Sequence, residues 1–311
     1  MSAPDPRAIA RLRSRLPSRD EPAGPVLLAL DDSPSSHLPV QWAAAEAAAR
    51  ATVLRVVRSV ATPPPVVAPT TPWGTWYPWT SDDDRSPVAA AWDAARADLE
   101  EVVRQAHAVD PRLDIATALT PAGAAGAHGD AADTLQVVGR RRRPRALGGA
   151  APAAARRTAR RTGRPVAVVA LAGSSQPGPS AHRVVVALRP GADPTAVLDV
   201  AFRAAARRRV GVTVLHVPGR DLPATVDAEI LAEVLDPYDQ VFPDVDVRAR
   251  QAPALARAVV QESVGAVLTV VDAPSPRDVR GSALARRVLA RARGTVVLVP
   301  PARPARRVSV R

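Results

Sequence analysis

Residues 26–36 read VLLALDDSPSS. Five apolar residues, Val26 to Leu30, run unbroken into two aspartates, and a turn containing Ser33, Pro34, Ser35 and Ser36 leads into the Ala-rich stretch HLPVQWAAAEAAAR (37–50). A short continuous apolar run bounded by turn residues is the pattern of a strand buried on both faces. A helix directly behind it makes the first unit of a layered α/β fold. The paired carboxylates at the strand end admit three readings: a metal site, a helix cap, or a contact to a ligand above the sheet.

Working outward, short Val/Leu runs at 25–30, 52–58, 113–119, 134–138 and 165–171 predict strands. Helices are predicted at 37–50, 88–108 and 152–162, with a weak Gly-interrupted turn at 122–131. The second half repeats the plan. Strands fall at 183–188, 211–217, 245–249, 265–271 and 295–299, and helices at 194–208, 224–236, 253–263 and 282–292. The halves also match locally: ALDDSPSSHLPVQWAAAEAAAR lies over ALRPGADPTAVLDVAFRAAARR without a gap, which pairs Asp31 with Arg189. The fold class read here is α/β, two doubly wound parallel sheets with helices on both faces. Five segments are predicted: a flexible leader at 1–22, a first domain at 23–171, a Gly/Ser/Pro linker at 172–181, a second domain at 182–300 and a tail at 301–311.

Composition narrows the chemistry. The chain of 311 residues contains no Cys, which excludes disulfides, Cys-ligated zinc and thiol catalysis. No apolar run reaches the ~18 residues of a membrane span, and the leader has no secretory apolar core; a cytoplasmic protein without a membrane partner is expected. The net charge is +12, and every basic residue is Arg. A basic balance fits nucleic acid or acidic partners, but an Arg bias set by a GC-rich coding sequence gives the same charge, and nucleic acid is not the favoured partner. The five histidines are scattered, with no pair at metal-ligand spacing, and no metal is predicted. No nucleophile elbow and no acid–base set is present, so no catalytic residue is assigned and the chain is read as non-enzymatic.

At VLLALDDSPSSHLPVQWAAAEAA, and again at LQVVGRRRRPRALGG followed by a helix and RPVAVVAL, the sequence resembles the universal stress protein family, and His182–Pro300 resembles it a second time. A tandem, UspA-like form is the reading. The resemblance implies five parallel strands in the order 3-2-1-4-5 in each half. That order puts a topological switch point between the first and fourth strands, where such sheets bind ligands. It also implies that members binding ATP use the strand-one Asp for adenine and a Gly-x-x-Gly-x9-Gly-Ser/Thr loop for the phosphates. In the first half Asp31 and Gly139 match, Arg142 replaces the second Gly, and Gly148 or Gly149 can serve if the alignment slides. In the second half Gly281 and Ser282 match, but Asp272 replaces the first Gly and Arg189 replaces the adenine-facing Asp.

The candidate nucleotide residues are therefore Asp31, Gly139, Arg140, Arg142, Gly148, Gly149, Gly281 and Ser282, with ATP as the possible cofactor and the first half as the better site. Arg140–Arg145 (RRRRPR) offers planar forks for phosphate; a solvated basic loop is the plainer alternative. Asp32 reads as a turn former, with Ser35 or Ser36 as helix cap.

The insertion 61–87 carries Trp73, Trp76, Tyr77 and Trp79 among prolines. It is a candidate partner-binding patch or a loop folded back on its own domain. Three functions follow in order: a stress-response regulatory module with a degenerate ATP site, a ligand-free interaction scaffold, and a basic nucleic-acid binder. Self-association, or pairing of the two halves within one chain, is the expected assembly.

Overall fold

The computed structural model describes residues 23–30, 37–60, 70–71, 74–75, 87–121, 134–139, 150–169, 179–190, 192–218, 224–273 and 278–301. In the first half, β1 (Val26–Leu30), α1 (His37–Ala49), β2 (Leu54–Val60), α2 (Pro87–His107), β5 (Ile115–Pro121), β6 (Leu135–Gly139), α3 (Ala150–Thr162) and β7 (Val166–Val169) follow one another. A two-strand antiparallel ribbon, β3 (Thr70–Thr71) with β4 (Gly74–Thr75), interrupts them inside the insertion. The second half runs β8 (Val184–Leu188), α4 (Thr195–Arg208), β9 (Val212–His216), α5 (Ala224–Val241), β10 (Val247–Gln251), α6 (Leu255–Glu262), β11 (Leu268–Asp272), α7 (Val279–Arg291) and β12 (Val296–Val299).

Each half has the strand order the resemblance implies, third–second–first–fourth–fifth. The expectation of two separate five-stranded sheets is corrected. The fifth strands β7 and β12 pair antiparallel, Val166 opposite Leu298 and Val168 opposite Val296, and join the halves into one ten-stranded sheet. The other pairings of that sheet are parallel. The physical reason lies in the two sequences, VAVV and VVLV, which are buried at every position. Left as edges they would expose apolar strands with unpaired backbone groups; pairing removes both edges.

Alternation along each strand sends side chains to two cores. Val184, Val186, Val297 and Val299 face α1, α2, α4 and α5; Val185, Ala187, Val296 and Leu298 face α3, α6 and α7. With so few aromatics, Phe202, Tyr238 and Phe242 form the one described ring cluster, with centroids 4.9 and 5.9 Å apart from Phe202. That cluster explains a departure from the sequence reading. Pro237 predicts a helix end at 236, because it removes a helical hydrogen bond, yet α5 continues to Val241. Tyr238 lies on the extra turn and Phe242 directly follows it, both buried, and their burial against Phe202 offsets the lost bond.

Residues 179–181 of the predicted linker are among those described. Ser180 is buried, and its hydroxyl donates to Glu262 (2.5 Å) and lies 3.0 Å from the Thr213 hydroxyl. The turn at 122–131, the leader and the 302–311 tail lie outside the described residues, as do 172–178 of the linker.

Side chains also cross the seam. Glu46 on α1, 2% exposed, accepts from Arg50 at 2.6 Å and from Arg208 on α4. Arg156 on α3 donates to the Ser282 carbonyl on α7 at 3.4 Å. Among the described residues no helix is long and apolar enough to cross a membrane.

Candidate functional site

Two equivalent crevices open at the carboxyl ends of the strands, one in each half, and the antiparallel β7–β12 pairing sets them on opposite edges of the joined sheet. In the first half β1 lies between β2 and β6, with Val26–Leu28 beside Leu135–Val137, so the strand ends Leu30 and Gly139 are neighbours. In the second, β8 lies between β9 and β11, with Val184–Val186 beside Leu268–Val270, so Leu188 and Asp272 are neighbours. Asp31 directly follows the end of β1, and Arg189 directly follows the end of β8.

Of the first-half candidates, the described residues include Gly139. Asp31, Arg140, Arg142, Gly148 and Gly149 lie outside them, as do Asp32, Ser35, Ser36 and the aromatic group Trp73, Trp76, Tyr77 and Trp79. Gly139 ends β6 close to the first turn of α1. A Cβ there would sit 3.0 Å from Cγ of Pro39, itself buried. Backbone and helix therefore approach closely at the switch point, which gives this glycine a packing role whatever the crevice holds.

The second crevice is built differently. Arg189 spans it. Its Nε lies 2.8 Å from both carboxylate oxygens of Asp272, its Nη2 also contacts Asp272, and its Nη1 lies 2.7 Å from Oδ2 of Asp278. The side chains are 14%, 17% and 31% exposed, respectively. The hydrogen bond to Asp272 leads the causes that raise the Arg189 pKa above its ordinary value, ahead of the opposing cost of burial. Asp278 is the N-cap of α7, and its Oδ1 accepts from the Gly281 N–H at 2.8 Å. That bond, followed by Arg189, holds the Asp278 carboxyl below the usual carboxylate range.

Gly281 and Ser282 are therefore brought to the crevice, with both N–H groups already in use. Gly281 donates to the Asp278 side chain, and Ser282 donates to the Asp278 carbonyl at 3.0 Å. A Cβ at 281 would lie 2.5 Å from Asp278 Oδ2 and 2.6 Å from Arg189 Cζ. The glycine makes room for an ion pair where a phosphate-binding member would make room for a phosphate. Sequence reasoning counted Arg189 and Asp272 as two separate losses; the missed signal is that opposite charges replace residues on adjacent strand ends. Asp278 was also missed, although an Asp just ahead of an Ala/Leu/Arg helical pattern is a helix-start signal.

A cavity of about 640 Å³ lies beside this triad, lined by Arg189, Pro190, Val217, Leu255, Leu284 and Arg287 among others. Among the described residues no three His, Asp or Glu side chains converge as a metal site would require.

Residues 23–122 match the model of the Universal stress protein family. The chain is 28% identical over 271 aligned residues to Universal stress protein Rv2623 of Mycobacterium tuberculosis H37Rv, covering 79% of this chain and 85% of that protein; the counterpart from strain CDC 1551, Universal stress protein MT2698, matches equally. A universal stress protein from Archaeoglobus fulgidus shares the fold at a TM-score of 0.57 and 12% identity, covering 88% of this chain and 96% of that one. A functionally unknown protein, PA1789, from Pseudomonas aeruginosa does so at 0.54 and 15%, covering 90% and 93%. The duplicated plan, the switch-point order in both halves and these likenesses support a tandem, UspA-like protein whose residues 23–122 match the Universal stress protein family.

Proposed function

We propose that the protein is a non-enzymatic stress-response module that takes an adenine nucleotide in its first half alone. The observation that carries this reading is the contrast between two equivalent crevices. Where β1 meets β6, the strand ends carry no charge, Leu30 beside Gly139, and the residue that follows is Asp31. Where β8 meets β11, the matching positions hold Arg189 and Asp272 locked to each other. A nucleotide needs free donors for its phosphates, and the second crevice has spent its nearest ones on Asp278.

Thermal unfolding with ATP and Mg²⁺ tests the reading. Ligand at ~100 times its dissociation constant stabilises the folded state by about 2.7 kcal/mol, a shift of roughly 5–10 °C for a unit of this size. Asp31→Ala should abolish the shift and Arg189→Ala should leave it intact. No shift at millimolar ATP, together with no nucleotide copurifying, would reject the proposal. A shift lost in Arg189→Ala and kept in Asp31→Ala would assign the nucleotide to the other half.

A further inference from the structure

The second half keeps a cavity of about 640 Å³ beside the carboxyl ends of its own strands, and its charges are arranged along one direction. At the inner end stands the triad: one cation, Arg189, against two carboxylates, Asp272 and Asp278. That end carries a net single negative charge, and the α7 N-terminus behind it is capped by Asp278. A phosphate placed there would meet the Asp278 carboxylate, an Arg189 already held by Asp272, and no free N–H of Gly281 or Ser282.

The middle of the cavity is apolar, walled by Pro190, Val217, Leu255 and Leu284. Leu255 and Leu284 are each 7% exposed, so the wall is anchored in the second core.

The outer end is cationic. Ala283, Leu284 and Arg287 face the cavity from α7, at the spacing that puts helical residues on one side. Arg287 is exposed and makes no hydrogen bond or ion pair with another described residue. Its neighbour Arg286 faces α3 instead, where it and Arg160, after burial itself, hold the Arg156 pKa below its ordinary value. From Asp278 to Arg287 is nine residues of α7, about 13 Å at 1.5 Å each. An apolar slot of that length, repelling anions at one end and offering a free guanidinium at the other, has the polarity of a medium-length organic acid.

We propose that this cavity binds a small amphipathic monocarboxylate, its alkyl or aryl body between Leu255 and Leu284 and its carboxylate on Arg287. The site is distinct from the first-half nucleotide reading and stands whether or not that reading holds. Arg supplies two parallel N–H donors to a carboxylate. The Arg189 triad forms a fixed inner wall that stops the chain of the ligand and sets its length. Selectivity follows from charge: an organic cation of equal length meets Arg287 at the mouth, and a polyphosphate meets Asp278 inside, with Asp272 behind Arg189.

Titration of the full-length protein with decanoate, followed by calorimetry, tests the proposal. One saturable site is expected. Arg287→Ala should weaken binding about tenfold or more, since a hydrogen bond to a charged group contributes roughly 1.5–3 kcal/mol, and Arg287→Lys should weaken it less. Ala283→Trp, at an exposed position on the cavity wall, should block binding while the circular-dichroism spectrum stays unchanged. Decyltrimethylammonium should not bind, and ATP should not displace decanoate. Decanoate affinity unchanged by Arg287→Ala or by Ala283→Trp, equal binding of the organic cation, or displacement by ATP would overturn the assignment.

Discussion

Replacing Gly281 by Ala separates two explanations of one glycine. If it were kept for a phosphate, alanine would stabilise the ligand-free protein, because Gly in a helix interior is about 0.8–1 kcal/mol less favourable than Ala. The geometry gives the opposite sign. The new Cβ would lie 2.5 Å from Asp278 Oδ2 and 2.6 Å from both Cζ and Nη1 of Arg189. Neither group yields easily. Arg189 is pinned by Asp272, and Asp278 by the Gly281 N–H itself. Overpacking costs about 1–3 kcal/mol, and displacing one charge-assisted bond costs about 1.5–3. Net of the helix preference, Gly281→Ala should destabilise by about 2 kcal/mol. In an Arg189→Ala/Asp278→Ala background the obstruction is gone, and the same substitution should stabilise by up to ~1 kcal/mol. The coupling between the sites is then about 3 kcal/mol, large enough for a mutant cycle to resolve. Urea unfolding followed by far-ultraviolet circular dichroism measures it. Stabilisation by Gly281→Ala in the otherwise unchanged protein, or an equal effect in both backgrounds, would refute the claim that the ion pair requires the glycine.

Two further outcomes are expected. Glu46→Gln leaves Arg50 and Arg208, 10% and 18% exposed, without their buried carboxylate; the loss should be about 3 kcal/mol in urea, and a change below 0.5 kcal/mol would remove Glu46 from the forces joining the halves. Asp246 and Asp278 both titrate below the usual range, Asp246 chiefly through its hydrogen bond from Arg183 and Asp278 through the Gly281 N–H. A depressed folded-state pKa gives stability that is complete above the unfolded value, near 4, and is lost as pH falls through the folded value; unfolding midpoints should hold from pH 7 to 5 and decline below about 4, and a decline equally steep in Asp278→Asn would exclude that carboxylate as a contributor.

The elements were legible because their signals are local. Unbroken runs such as VLLAL and VVVAL can bury both faces, and stretches such as TAVLDVAFRAAARR cannot be strands. The helix read at 224–236 runs on to Val241 because a local pattern met a distant fact, the Phe202 ring against Tyr238 and Phe242. The joined sheet was less legible because β7 and β12 lie over 120 positions apart in sequence, yet their composition held a clue: neither carries a charge or proline to protect an edge. The second crevice was half legible. Its departures from the family pattern could be counted, but that Arg189 and Asp272 compensate each other becomes visible when β8 and β11 are set side by side. Asp278 needed no tertiary knowledge, since capping is a matter of the next three residues.

The triad changes what the second half can contribute to a responsive protein. A crevice whose walls are held apart by ligand is stabilised in proportion to ligand concentration. A crevice bridged by its own Arg189 has strand ends and helix start fixed at every concentration, because the partners are covalently part of the chain. A polar bridge of this kind also costs desolvation, which its bidentate geometry recovers and a single contact would not. The halves are not insulated from each other: Glu46–Arg208, Arg156–Ser282 and the β7–β12 pairing cross the seam, and Ser282 belongs to the first turn of the helix that Asp278 caps. A ligand that orders the first crevice therefore acts against a partner already rigid at the equivalent place. Under the proposed function, duplication with one locked copy would give a response confined to one half, with a graded rather than cooperative dependence on ligand, since cooperativity would require two crevices free to change together.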